Sequence, residues 1–184
     1  TAGTLDNVLS ATDNYSFGAA ATLTAPIAAN TLRYTGGAAS LTHGTNSMTM
    51  NGLMHAGTGL LTVGGAALPA AGAGALTVGA SGVLNITSAI STATSFTSLP
   101  APITTITASI ADSSAGPSRV VYSGALGDNL LLGLSSGGNV QGPYNTFTGG
   151  LVIASGILRA GTRANGCLGG WLTTGTQATP VNVT

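Results

Sequence analysis

The sequence predicts an all-β chain wound as a parallel β-helix, and three observations predict it. Twenty-nine glycines stand among abundant Thr, Ser and Ala in 184 residues, a composition suited to short strands joined by tight corners. No amphipathic run at helical period stands out. Short alternating or apolar segments recur along the chain. Each is too short to make a sheet alone, so each must pair with a similar unit above or below it. The expectation is a right-handed solenoid of about seven to nine rungs, each of roughly 20–25 residues.

Charge narrows the function classes. Only 4% of residues are charged, and all four cations are Arg, with no Lys or Glu anywhere. Four scattered Arg cannot neutralise a row of phosphates, so a nucleic-acid partner is excluded. With 43% apolar residues and zero net charge the chain is unlike a disordered segment. The lone Cys167 cannot close an internal disulfide and reads as a small buried thiol beside Leu168. No run of about 18 apolar residues suggests a membrane span. The chain opens at Thr1 without Met, and cysteine-poor, lysine-free composition fits a secreted or surface product.

Residues 1–30 mix Asn, Asp and Ser with Ala-rich pieces and read as an N-terminal rung, cap or contact segment; residues 31–184 read as the rungs. Thr31-Leu32-Arg33-Tyr34-Thr35 alternates, which places Leu32 and Tyr34 on one face and Arg33 and Thr35 on the other. Ser40-Leu41-Thr42-His43-Gly44 and Ser47-Met48-Thr49-Met50-Asn51-Gly52 repeat the rhythm. Leu61-Thr62-Val63-Gly64 and Leu76-Thr77-Val78-Gly79 share four residues at a spacing of 15. Ala80-Ser81-Gly82-Val83-Leu84 recurs 74 residues later as Ala154-Ser155-Gly156-Ile157-Leu158. Ile103 to Asp112 is a β-branched strand ending in Ala-Asp. Leu130-Leu131-Leu132-Gly133-Leu134 is an apolar run expected to be buried on both faces. Residues 135–145 read as an inserted loop, and the tail stops as an alternating strand begins, which leaves an open end expected to stack on something further.

The stretch that organises the rest is Asn145-Thr146-Phe147-Thr148-Gly149-Gly150, a polar turn. A short strand, a Ser155-Gly156 corner and a second strand through Leu158 to Gly161 follow it. With Leu168 and Gly169 these residues form the structural motif, spanning 145–169. The motif resembles the autotransporter-associated β-strand repeat, also called the passenger-associated transport repeat. In that family an Asn-Thr-aromatic-Thr-Gly-Gly run is followed by a β-rich segment and a Gly-(Thr/Ile)-Leu-x-x-Gly ending. The Ala-Asp ending at Asp112 and Asn165-Gly166-Cys167-Leu168-Gly169 also resemble family features, whereas the loop at 135–145 is longer than usual. The resemblance implies a bacterial extracellular β-helix that supports secretion and display rather than chemistry.

Each candidate for chemistry has a plainer reading. Gly133-Leu134-Ser135-Ser136-Gly137 matches G-x-S-x-G, but no helix follows it, so it reads as a loop. The acids are Asp6, Asp13, Asp112 and Asp128; Asp112 and Asp128 could form an acid/base couple, although turn roles are commoner. His43 and His55 lack the further ligands zinc needs and read as surface or strand-end residues. Gly124 to Asp128 is only an echo of a calcium-binding repeat. Trp171 reads as core or cover. Sequons at Asn14, Asn85 and Asn182 are expected to stay bare.

The leading expectation is therefore a non-enzymatic structural protein of the bacterial surface or matrix. It would be a stalk, filament or surface-layer segment, partnered by itself or by further repeats and needing no cofactor or metal. The alternative is an adhesin or ice-binding module using outward Thr and Ser. A polysaccharide-active enzyme centred on Asp112 is the third.

Overall fold

In the computed structural model, the residues described are Leu5, 8–64, 74–89, 104–125, 128–133 and 145–160. They form no α-helix and fourteen strands: β1 (Leu9–Phe17), β2 (Ala21–Thr22), β3 (Ile27–Tyr34), β4 (Ala39–Thr42), β5 (Met48–His55), β6 (Leu61–Val63), β7 (Ala75–Val78), β8 (Val83–Ser88), β9 (Thr104–Ile106), β10 (Ser109–Ala111), β11 (Arg119–Gly124), β12 (Asn129–Leu132), β13 (Leu151–Ser155) and β14 (Ile157–Ala160).

Two sheets result. One runs β1-β3-β5-β8-β11-β13, with β7 joining β5 and β10 joining β7; the other runs β14-β12-β9-β6-β4-β2. Every strand pairing is parallel. The chain passes from one sheet to the other and returns one strand further along, the order of a solenoid-like fold. Parallel pairing cannot be made by a tight hairpin, so each strand must wait for the chain to travel round.

Alternation decides which side chains go inside. Leu32 and Tyr34 are fully buried and Arg33 and Thr35 exposed, as their spacing predicts. The core is a single lining that runs through Leu32, Leu41, Met50, Leu61, Leu84, Val120, Leu130 and Leu151. On β12 every residue is buried, so the Leu130–Leu132 run is covered on both faces, as expected. Leu131, which alternates away from the lining, is only 2% exposed.

The long strands of the first sheet change phase midway. On β3 the buried positions are Ile27 and Ala29, then Leu32 and Tyr34. On β5 they include Met48 and Met50, then Leu53 and His55. Asn30 and Asn51 sit at the phase change and stack, Asn51 Nδ2 donating to Asn30 Oδ1 at 3.1 Å and Asn30 Nδ2 to Asn14 Oδ1 at 3.0 Å. Ser81 continues the ladder, its hydroxyl donating to Asn51 Oδ1 at 2.7 Å. Stacked amides of this kind satisfy a corner that the backbone ladder leaves open. At that corner the chain inserts residues 79–82 between β7 and β8, and 112–118 between β10 and β11.

Candidate functional site

The motif is held to β10 and to the turn before β11 by a polar clasp. Asn145 is buried, and its Oδ1 accepts the Ile110 N–H at 2.8 Å. Thr146 N–H returns a bond to the Ile110 carbonyl at 2.8 Å. Phe147 is fully buried between them and Thr148. Thr148 gives both its N–H and its hydroxyl to the Asp112 carboxylate, at 2.9 and 2.7 Å. Asp112 also accepts the Ser118 N–H at 2.7 Å, closing the turn before β11. Three charge-assisted bonds on one carboxylate fix the register of motif and turn together.

The glycines have distinct jobs. Gly149 N–H donates to the Ser118 carbonyl at 2.8 Å, and a Cβ there would lie 2.6 Å from that backbone. Gly150 (φ 96°) accepts the Val120 N–H at 3.0 Å before β13 begins. Gly156 (φ 88°) lies over the Tyr122 ring, where a Cβ would meet Cε1 at 2.9 Å. Leu158 pairs with Leu130 and packs against the core. Gly161, Leu168 and Gly169, together with Cys167, Trp171 and the loop at 135–144, lie outside the described residues.

A second constellation lies inside. Phe17, Tyr34, His55, Ser88 and Gly124 are register partners in turn and stack into one column. The Phe17 and Tyr34 ring centroids are 4.9 Å apart, those of Tyr34 and His55 5.4 Å. His55 Nδ1 bonds the Thr104 hydroxyl at 2.9 Å across to the second sheet. Above it the column turns polar with Ser88, and Tyr122 and Asp128 stand beside it, all three buried and without hydrogen-bond partners at their side-chain oxygens. Burial pushes the Asp128 carboxyl above its ordinary value of 3.8. Burial, and secondarily the Asp128 charge, push the Tyr122 phenol well above its ordinary value of 10.0. Burial lowers His43 and His55 below 6.5.

The sequence's chemical candidates are not brought together. Asp112 precedes β11 and Asp128 follows it, so six residues at about 3.3 Å each put roughly 20 Å between them. A glycosidic acid/base pair needs about 5–9.5 Å. His43 and His55 end their strands as expected, but they are buried at 1% and 0% exposure rather than on the surface, because their rings fill the lining. Among the described residues no group of three His, Cys, Asp or Glu could hold a metal ion. The residues that sequence reasoning missed are Asn30, Asn51, Ser88 and Tyr122. For the two asparagines the signal was a 21-residue offset that aligns β3 with β5; Ser88 and Tyr122 had none at that spacing.

Fold and clasp together define an all-β chain of parallel strands with a solenoid-like course, its motif residues spent on holding one strand to the next. No family model matches the chain, and no curated protein or solved structure matches it significantly. The likeness to the autotransporter-associated repeat thus rests on the motif residues alone.

Proposed function

We propose that the protein is a non-enzymatic structural element of the bacterial cell surface or extracellular matrix, a β-helical stalk, filament or surface-layer segment. The observation that carries this reading is the use of the motif's polar groups. Asn145, Thr146 and Thr148, and Asp112 beneath them, each tie one strand to its neighbour and leave nothing converging on a substrate. In finer terms the coil is a right-handed β-helix of about seven to nine rungs, and the alternating course of strands between two sheets supports that reading. A chain with zero net charge and few charged side chains has little to hold copies apart, which favours association with itself or with further repeats.

Imaging of the native material tests this. Rods or filaments agree with it. A discrete particle that cleaves polysaccharide, and loses that activity in D112N, would make it an enzyme instead.

One observation favours a second reading, an adhesin or ice-binding face. Ser40, Thr62 and Thr105 are register partners on the second sheet, a short hydroxyl column. Thr105 and the next residue in register, Leu131, are buried, and Arg159 follows, so only Ser40 and Thr62 present part of the regular array ice would need. Thermal hysteresis and binding to a glycan array check the two forms of this reading.

A further inference from the structure

The corner between β11 and β12 joins the two sheets, and Asp128 stands on it. Its N–H donates to the Ala125 carbonyl at 2.9 Å, and its carbonyl accepts the Ile157 N–H at 2.9 Å, the bond that starts β14. The backbone of Asp128 therefore holds both the turn and the next strand in place. Its side chain points into the lining, fully buried, with neither carboxyl oxygen hydrogen-bonded.

The groups that face it are few. From β8 the Ser88 hydroxyl faces the carboxyl without a well-formed hydrogen bond, and it and the Asn129 N–H favour the ionised form, though less than burial disfavours it. From β11 the Tyr122 phenol lies close: a Cβ on Gly124 would touch both the Tyr122 ring and the Asp128 Cβ. From β12 Asn129 is buried beside it. His55 on β5 is one strand beyond Ser88 in the same column. Arg119 and Arg159, the cations of β11 and β14, alternate with Val120 and Leu158, which pack toward the core, and so face away. Among the described residues no cation compensates a charge on Asp128, and a lone buried carboxylate is among the costliest groups a core can hold.

We propose that Asp128 is a proton-operated latch for this corner: with its proton the carboxyl bonds the Ser88 hydroxyl across the column, and without it the corner loosens and releases the start of β14. The neutral acid needs only a small side-chain adjustment to donate to Ser88, whereas the ionised form meets the Tyr122 phenol and Ser88 without a positive partner. The direction of the Asp128 shift agrees with this geometry. A carboxyl raised above 3.8 in the folded chain contributes stability that is fully present below 3.8 and is lost as pH rises through the folded value.

The test compares the full chain with D128N, which mimics the neutral acid and cannot ionise. The expected result is that the thermal midpoint of D128N rises above that of the wild type by an amount larger at about pH 8 than at about pH 4. A difference that stays constant over that range overturns the proposal. A second measurement needs no variant. Carbon-13 titration of the aspartate carboxyls in the native chain should find one resonance still protonated after the others have ionised, with Ile157 amide protection falling as it titrates. Titration of every carboxyl together, or an Ile157 amide indifferent to the titration, overturns it equally.

Discussion

Asp112 closes the turn before β11 and anchors the motif through one carboxylate. As one of only four acids it was a candidate for catalysis, yet its carboxylate is saturated by the Ser118 N–H and by both donors of Thr148. Asp112→Ala removes three bonds, the two from Thr148 exposed, and should cost about 1–2 kcal/mol, read as a lower urea midpoint with an unchanged slope. Asp112→Asn keeps the shape and part of the bonding and should cost less. Gly156→Ala forces a side chain into positive φ over the Tyr122 ring and should cost about 1–3 kcal/mol. A thermal midpoint equal to wild type would show that the ring yields. Leu84→Ala, in the fully buried lining, should cost about 2–5 kcal/mol by the same assay.

At the scale of elements, alternation was legible wherever a strand lies on one flat face. β13, the Ser-Gly corner at Gly156 and β14 follow the residues that announced them, because Ser-Gly punctuates and Leu-Val-Ile and Ile-Leu have strand propensity. The phase changes at Asn30 and Asn51 were not legible by period alone, since a bend in a strand shifts every later residue to the other face. Only tertiary pairing shows that these asparagines stack. Asn51 gives one amide and receives two donors from Ser81, so Asn51→Ala should open the corner that bears residues 79–82. Faster amide exchange at Ser81 and Val83, with the midstrand amides of β12 unchanged, is the expected outcome.

The whole molecule combines these ties with a lining that, among the described residues, holds ionisable groups without countercharges. His43 and His55 have their values lowered by burial, so what they contribute is fully present above 6.5 and is lost as pH falls through the folded values. In D128N, where the opposing carboxyl is gone, the thermal midpoint should fall steadily as pH drops below about 6.5. A flat profile there would place both rings in contact with water. The parallel sheets were foreseen because they follow from short strands needing partners. The polar column was not, because Ser88, Tyr122 and Asp128 are brought together only by the coil. Four Arg and no Lys leave few tryptic sites, so the native chain should resist trypsin; rapid complete digestion would contradict a closed coil.

The central claim is that strands one coil apart lie parallel and in register. Ser123 and Ser155 are such partners, their hydroxyls 3.2 Å apart on the outer face. In a chain with Cys167 replaced by Ser, S123C with S155C should form a disulfide quickly under mild oxidation, since parallel neighbours about 4.8 Å apart are within disulfide reach. The mismatched pair S16C with S155C, several strands apart on the same face, should not. Equal rates for both pairs, or no bond in either, would contradict the fold on which the account rests.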